Sequence, residues 1–229
     1  MPFFDPTMII LIPALLFAFW AQWKVQHTYK KFSQVRSANG RTGREMALAI
    51  MSRNSVNDVA VEEVAGVLSD HYDPRVKKVR LSEHNYRQSS ISAIAVAAHE
   101  VGHVLQHAQG YAPLAIRSTL APVAQIGSLA AFPLFMVGMF FGGPWAKGLM
   151  DLGILVFTGA VLFQVVTLPV EFNASNRALA QLTESGAIMQ EEVGQAKQVL
   201  DAAALTYVAA AAMAALQLLR LVMLRNSRN

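Results

Sequence analysis

Residues 151–171, DLGILVFTGAVLFQVVTLPVE, place 19 uncharged positions between Asp151 and Glu171. As a helix rising 1.5 Å per residue, such a run reaches about 28 Å, close to the roughly 30 Å hydrocarbon thickness of a bilayer. Three other stretches are comparable: 18 uncharged residues separate Asp5 from Lys24, 29 separate Arg117 from Lys147, and 18 separate Asp201 from Arg220. Pro13, Pro122 and Pro133 interrupt these runs, which membrane helices tolerate better than soluble ones do. Four spans are therefore expected, at about 6–23, 120–141, 152–170 and 202–221. The first run has Asp5 where a signal peptide carries its basic region, and no small-x-small cleavage site follows it. It reads as an anchor.

Composition supports the same class. Hydrophobic residues make up 54% of the 229 and charged residues 15%, against roughly 25% charged in soluble domains. With a mean hydropathy of +0.35 the chain has too much apolar surface to be disordered. Cysteine is absent, which excludes disulfides, a thiolate nucleophile and a Cys-ligated metal. The net charge is +4, but the basic residues are dispersed and not interleaved with aromatics, so nucleic acid is not an expected partner. A lipid bilayer is. Lys24, Lys30, Lys31, Arg36, Arg41, Arg117, Arg177 and Lys197 would share one face, against Lys147, Arg220, Arg225 and Arg228 on the other. The positive-inside rule then puts the polar segments 24–117 and 169–201 in the cytoplasm.

The larger polar segment, 24–117, carries 13 Lys/Arg and 8 Asp/Glu. Thr42 and Glu45 form a capping-box pattern that opens a helix striped with Met46, Ala49 and Ile50. A second helix is expected from Asp58 to Leu68, a turn at Asp70–Pro74 and a strand over Val76–Leu81. Ser89 or Ser90 can cap a long helix that ends before Gly110. Segment 169–201 is also helical by pattern, and no internal repeat is present.

Inside the long helix stands His99-Glu100-Val101-Gly102-His103, an H-E-x-x-H motif. A spacing of four puts both imidazoles on one helix face, one turn apart, where they can chelate one ion. Zinc lowers the pKa of a water in its open position to about 7. Glu100, beside the first ligand, is placed to take that water's proton. From the composition, only about 0.01 chance matches are expected, so the motif is a signal.

A catalytic zinc needs a third protein ligand. His107 follows on the same helix, but three histidines stacked over two straight turns do not converge on one tetrahedral ion. The extended pattern with Gly and a third His fails, because Gln106 and Gln109 occupy those positions. Glu171, at the end of the third run, remains. A carboxylate there is costly in lipid and useful against a metal. Two spans separate it from His103, so the chain returns to the face it left. Ala174, Ser175 and Ala178 nearby would let the motif helix approach.

The strings Ala98–His103, Asp70–Arg75 (DHYDPR), Pro169–Phe172 (PVEF) and Leu205–Ala209 (LTYVA) resemble the YugP-like family of neutral zinc metallopeptidases of bacterial membranes. More distantly, the helix pair is similar to HtpX-type membrane proteases, whose third ligand is a glutamate in an E-x-x-A-D setting; here Ser175 stands at the aspartate position. The resemblance spans nearly the whole chain. It implies a multi-pass protein of the bacterial inner membrane that acts on proteins or peptides.

Lesser candidates keep two readings each. His107 is either an ordinary helix-face residue or a group behind the ligands, and His71 either lines the cleft or stabilises its turn. Asn85, with His84 and Tyr86, joins the expected strand to the motif helix, and that strand can serve substrate pairing or structure alone. Arg177 can stabilise an oxyanion or pair with an acidic neighbour, and Asp151 is expected in water at the far face. The expected fold is mainly α, a single domain over 1–229: a bundle of about four spans with a small cytosolic zincin-like unit and a short β element. The expected function is peptide hydrolysis with one zinc per chain held by His99, His103 and Glu171, and Glu100 as general base. The alternatives are a non-catalytic, zinc-stabilised membrane scaffold or adaptor, which would not need Glu100, and a transporter, which the lack of repeats disfavours.

Overall fold

The computed structural model describes residues 5–141, 143–184 and 186–227. Among them, four helices are long and apolar enough to cross a membrane: Pro6–Ser33, Ala112–Phe140, Ala146–Glu184 and Gln190–Asn226. The rest of the chain forms shorter elements between the first and second of these. In order they are a 3-10 turn (Pro6–Leu11), α1 (Ile12–Ser33), α2 (Gly43–Arg53), β1 (Ala60–Val64), β2 (His71–Asp73), β3 (Lys78–Ser82), α3 (Glu83–Arg87), α4 (Ile91–Ala108), α5 (Ala112–Phe140), α6 (Ala146–Glu184) and α7 (Gln190–Asn226). Among the described residues the protein is mainly helical with one small sheet. The chain divides into two compact units, one of residues 22–114 and 170–205, the other of residues up to 21, 115–169 and from 206.

In the first unit, α2 begins at the expected capping box: Thr42 Oγ1 accepts from Glu45 N at 3.2 Å, and Glu45 Oε2 accepts from Thr42 N at 2.8 Å. Ser90 caps α4, its Oγ accepting from Ala93 N. The helix expected over 58–68 is instead a strand. β1 runs parallel to β3, with Val61 opposite Val79, and Lys78 reaches Glu62 at 2.6 Å. Val59, Val61 and Val64 fit either a helix stripe or a β-branched strand. Gly66 at φ 110° and Leu68 at φ 54° leave no room for a helix through 58–68, and pairing with β3 decides the rest.

The turn expected at Asp70–Pro74 also moves. Residues 71–73 form β2, antiparallel to β3, and the chain reverses over 74–77, with Lys77 at φ 51°. The strand expected over Val76–Leu81 is β3, displaced to Lys78–Ser82. It is the centre of the order β1-β3-β2, so both of its edges are already paired. Over Lys78–Arg80, where both neighbours pair with it, no edge is left for a substrate strand. The core of this unit gathers Met46, Ile50, Val79, Leu81, Ile94 and Val101.

The second unit has small residues inside and large apolar ones outside. Phe135, Met150 and Leu221 close its interior, while Ile126, Leu129 and Leu155 are about 70% exposed. That arrangement suits lipid surroundings, where close backbone approach drives helix association. α5 meets α6 through glycines: a Cβ on Gly153 would stand 2.8 Å from Ala131 O, and one on Gly138 2.5 Å from Ala146 O. Arg220 Nη2 lies 3.3 Å from Asp5 Oδ2, and Arg225 Nε 2.7 Å from Asp151 Oδ1. Asp151, expected to be simply solvated, is half exposed and paired. Arg228, one of the cations counted for orientation, lies outside the described residues.

Gly153→Val should therefore separate α5 from α6 and cost about 1–3 kcal/mol, the usual penalty of overpacking. Thermal unfolding in detergent should show a clear drop. Gly148→Val should show little, because nothing lies within 4 Å of a Cβ at that position.

Candidate metal centre

The motif helix α4 is buried on nearly every side, with Ala93, Ala95, Ala97 and Ala98 all inaccessible or nearly so. Small side chains let neighbouring elements come close to it, and Gly102 takes this furthest. A Cβ on Gly102 would stand 2.5 Å from the carbonyl oxygen of Ala174, so α4 lies directly on the α6 backbone at that point. His99 and His103 flank Gly102 on α4. Glu171 and Ser175 flank Ala174 on α6. The crossing thus presents two imidazoles to one carboxylate.

The distances follow from that contact. His99 Nε2 is 3.2 Å and His103 Nε2 3.5 Å from Glu171 Oε2. The two rings stand nearly perpendicular, at 86°, with centroids 4.9 Å apart. Ligand atoms of His99, His103 and Glu171 all lie within 4.8 Å of one another. Donors on one tetrahedral zinc at about 2.0–2.1 Å are separated by about 3.4 Å. The two separations to Glu171 Oε2 fit, and two nitrogens with one carboxylate oxygen is a donor set that zinc takes. Glu171 is only 2% exposed, which makes it an expensive carboxylate to keep without a cationic partner.

Each imidazole is held from behind. His99 Nδ1 meets Ser175 Oγ at 3.1 Å, and His103 Nδ1 meets Gln106 Oε1 at 3.0 Å. Gln106 is wholly buried, and its Nε2 donates to Val170 O at 2.8 Å and Asn173 Oδ1 at 3.0 Å. Ser175, at the position where the resembled pattern has aspartate, thus contacts a candidate ligand through a hydroxyl. Glu100 is buried beside these groups. Burial pushes its carboxyl pKa up; His99 and His103 oppose the shift, while Asp70 and Glu171 add to it. Burial works against a charged His103, but the carboxylates of Glu171 and Glu100 outweigh it and raise that ring's pKa.

The other expected residues lie elsewhere. His107 Nδ1 meets Tyr72 Oη at 2.8 Å, on a cleft of about 170 Å³ whose walls include Val56, Val59, Asp58 and Lys77. Burial, then Asp58 and Asp73, push the Tyr72 phenol up to about 12, so it stays protonated at neutral pH. His71 is exposed, with Nδ1 donating to Ser69 O and Nε2 near Arg80. Asn85 is wholly buried, accepting from Tyr29 Oη at 2.8 Å and donating to Asp70 Oδ2 at 2.9 Å. Arg177 reaches two amide oxygens: Nε donates to Asn173 Oδ1 at 2.7 Å and Nη1 to Gln109 Oε1, with Tyr111 beneath the guanidinium. Gln106 and Asn173 are the site residues that sequence reasoning missed. Gln106 was visible only as a break in the extended motif, although its place three residues after His103 puts it on the same helix face.

Glu171→Ala should sharply weaken zinc binding to the purified protein, measured by competition with a chromogenic chelator. His107→Ala should leave it nearly unchanged, since its contact is Tyr72 and not the three-donor cluster. The reverse pattern would move the third ligand onto α4.

Comparisons with known proteins bear on the family. Residues 7–226 match the sequence pattern of a family described as "Putative neutral zinc metallopeptidase". The chain is 48% identical over 217 residues, 95% of each chain, to the "Putative membrane protease YugP" of Bacillus subtilis (strain 168). No solved structure matches it. With a match over almost its full length and a relative this similar, the chain belongs to the family that carries this description, "Putative neutral zinc metallopeptidase".

Proposed function

We propose that this protein is a membrane-embedded zinc endopeptidase that cleaves proteins or peptides at the cytoplasmic surface of the bacterial inner membrane. The observation that carries the reading is the convergence of His99, His103 and Glu171 with Glu100 buried beside them. His99, His103 and Glu171 would hold one zinc per chain. When bound, zinc supplies a Lewis acid that polarises a scissile carbonyl and brings the pKa of water down to about 7. Glu100 takes the proton of the attacking water on a carboxylate oxygen and passes it to the leaving amine nitrogen. The buried surroundings exclude competing solvent from that transfer.

Two further features support the location. Glu171 follows the 19-residue apolar run directly in sequence, so the ligand is carried one residue beyond a span. Lys and Arg are more numerous on the segments that carry the motif, as expected of the cytoplasmic side. A structural zinc site would have no use for Glu100, and this favours an enzyme over a scaffold.

Glu100→Gln should keep zinc and lose hydrolysis of labelled unfolded casein by about 10²- to 10⁴-fold, because the amide keeps the shape and cannot accept the proton. Zinc content and cleavage rate should be measured on the same preparation. Cleavage at the parental rate would remove Glu100 as the base. Chelation should abolish hydrolysis in the parent while the helical circular dichroism persists.

A further inference from the structure

We propose that Gln106 presets His103 in the tautomer that aims a lone pair at the metal position, and that Arg177 sets the polarity of the relay that holds Gln106. The inference rests on the reading of His103 as a ligand, and it is argued from which atoms can only donate and which can only accept. A guanidinium only donates. Arg177 Nε lies 2.7 Å from Asn173, so the atom of Asn173 that faces it is the amide oxygen. That same oxygen is 3.0 Å from Gln106, so Gln106 presents its NH₂ there. The second hydrogen of that NH₂ points to the Val170 carbonyl at 2.8 Å, again an acceptor only. The oxygen of Gln106 is thereby left facing His103 Nδ1 at 3.0 Å.

An amide oxygen cannot donate, so Nδ1 must carry the hydrogen. In the neutral ring the lone pair is then on Nε2, the atom 3.5 Å from Glu171 Oε2. Free imidazole side chains favour the opposite tautomer, so the relay reverses an intrinsic preference. Gln106 has no exposed surface, so water cannot substitute for any of its partners. Turning its amide over would set an oxygen against two carbonyl-type oxygens and leave both N–H groups facing a ring nitrogen. His99 differs. Its Nδ1 meets the Ser175 hydroxyl, which can donate or accept and is compatible with either tautomer. One ligand is preset and the other adaptable.

The role this gives Arg177 is positioning. Its contacts with Asn173, Gln109 and Tyr111 fix the guanidinium on the relay. Partners behind a ligating histidine are typically worth about 10- to 100-fold in metal affinity. They act by fixing ring orientation and proton position before the ion arrives.

The test uses full-length protein in detergent, labelled with ring-¹⁵N histidine, stripped of metal and held on the alkaline side of the imidazole titration. The parent should show His103 with its hydrogen on Nδ1. Gln106→Leu should shift His103 toward the Nε2–H form and weaken Co²⁺ binding, followed by its visible d–d spectrum, at least about tenfold. Arg177→Met should move both readouts part of the way, and Arg177→Lys, which still only donates, should restore them. Gln109→Ala, which removes the other arginine contact and leaves the relay intact, should not move the tautomer. An Nε2–H His103 in the parent would overturn the proposal. So would a Gln106→Leu protein, folded by circular dichroism, whose tautomer and Co²⁺ affinity match the parent. A parent that shows the Nδ1–H ring and binds no Co²⁺ would uphold the relay and sink the ligand reading instead.

Discussion

The centre depends on one contact, the absence of a side chain at Gly102 over the carbonyl of Ala174. A single methyl there would stand 2.5 Å from that oxygen, inside any allowed separation. Imidazole and carboxylate side chains are short, so His99, His103 and Glu171 can meet within 4.8 Å only if their helices nearly touch. Interaxial distances of 8–10 Å are usual where ordinary side chains interdigitate. The motif in α4 supplies its own spacer-free crossing, because its glycine sits between the two histidines. The same device recurs between α5 and α6 at Gly138 and Gly153, where it packs helices and holds no ligands.

What could be read from the sequence, and what could not, follows from the range of the interactions involved. The H-E-x-x-H pair, the capping box at Thr42 and the serine cap of α4 are set by residues three or four apart, so spacing alone revealed them. Apolar runs of bilayer length are equally local. Glu171 was reachable because a charged residue at the end of such a run is rare and because elimination left little else. β1 was misread because its valines satisfy helical and strand periodicities over so short a segment. Only the partner strand β3, some 18 positions later, settles the choice. The turn expected at Asp70–Pro74 and found over 74–77 was misplaced for the same reason, since β2 exists only by pairing with β3.

The relay behind His103 was invisible for a different reason. Gln106, Asn173 and Arg177 come from two helices more than sixty residues apart in sequence, and nothing in an amide's identity says which atom it will turn where. Arg177 drew attention as a charge and was expected to act on charge. Its observed partners are neutral, and what it contributes to them is direction: unlike an amide or a hydroxyl, a guanidinium never accepts a hydrogen bond.

Charge balance ties the site to its occupant. Glu171 and Glu100 are both buried, and the polar groups set against the two imidazoles from behind are a hydroxyl and an amide, not further carboxylates. Neutral imidazoles cannot cancel two carboxylates, so burying both acids together costs several kcal/mol unless a proton or a cation joins them. A divalent ion among the three donors would meet that need. The hydroxyl and amide behind the histidines have little negative charge to pass on to the rings. A carboxylate in the place of Gln106 or Ser175 would make the ring it touched more basic and the ion less electron-poor. The hydroxyl of Ser175 and the amide of Gln106 therefore hold the rings in place without adding negative charge behind them, and an ion among the three donors would keep more of its own.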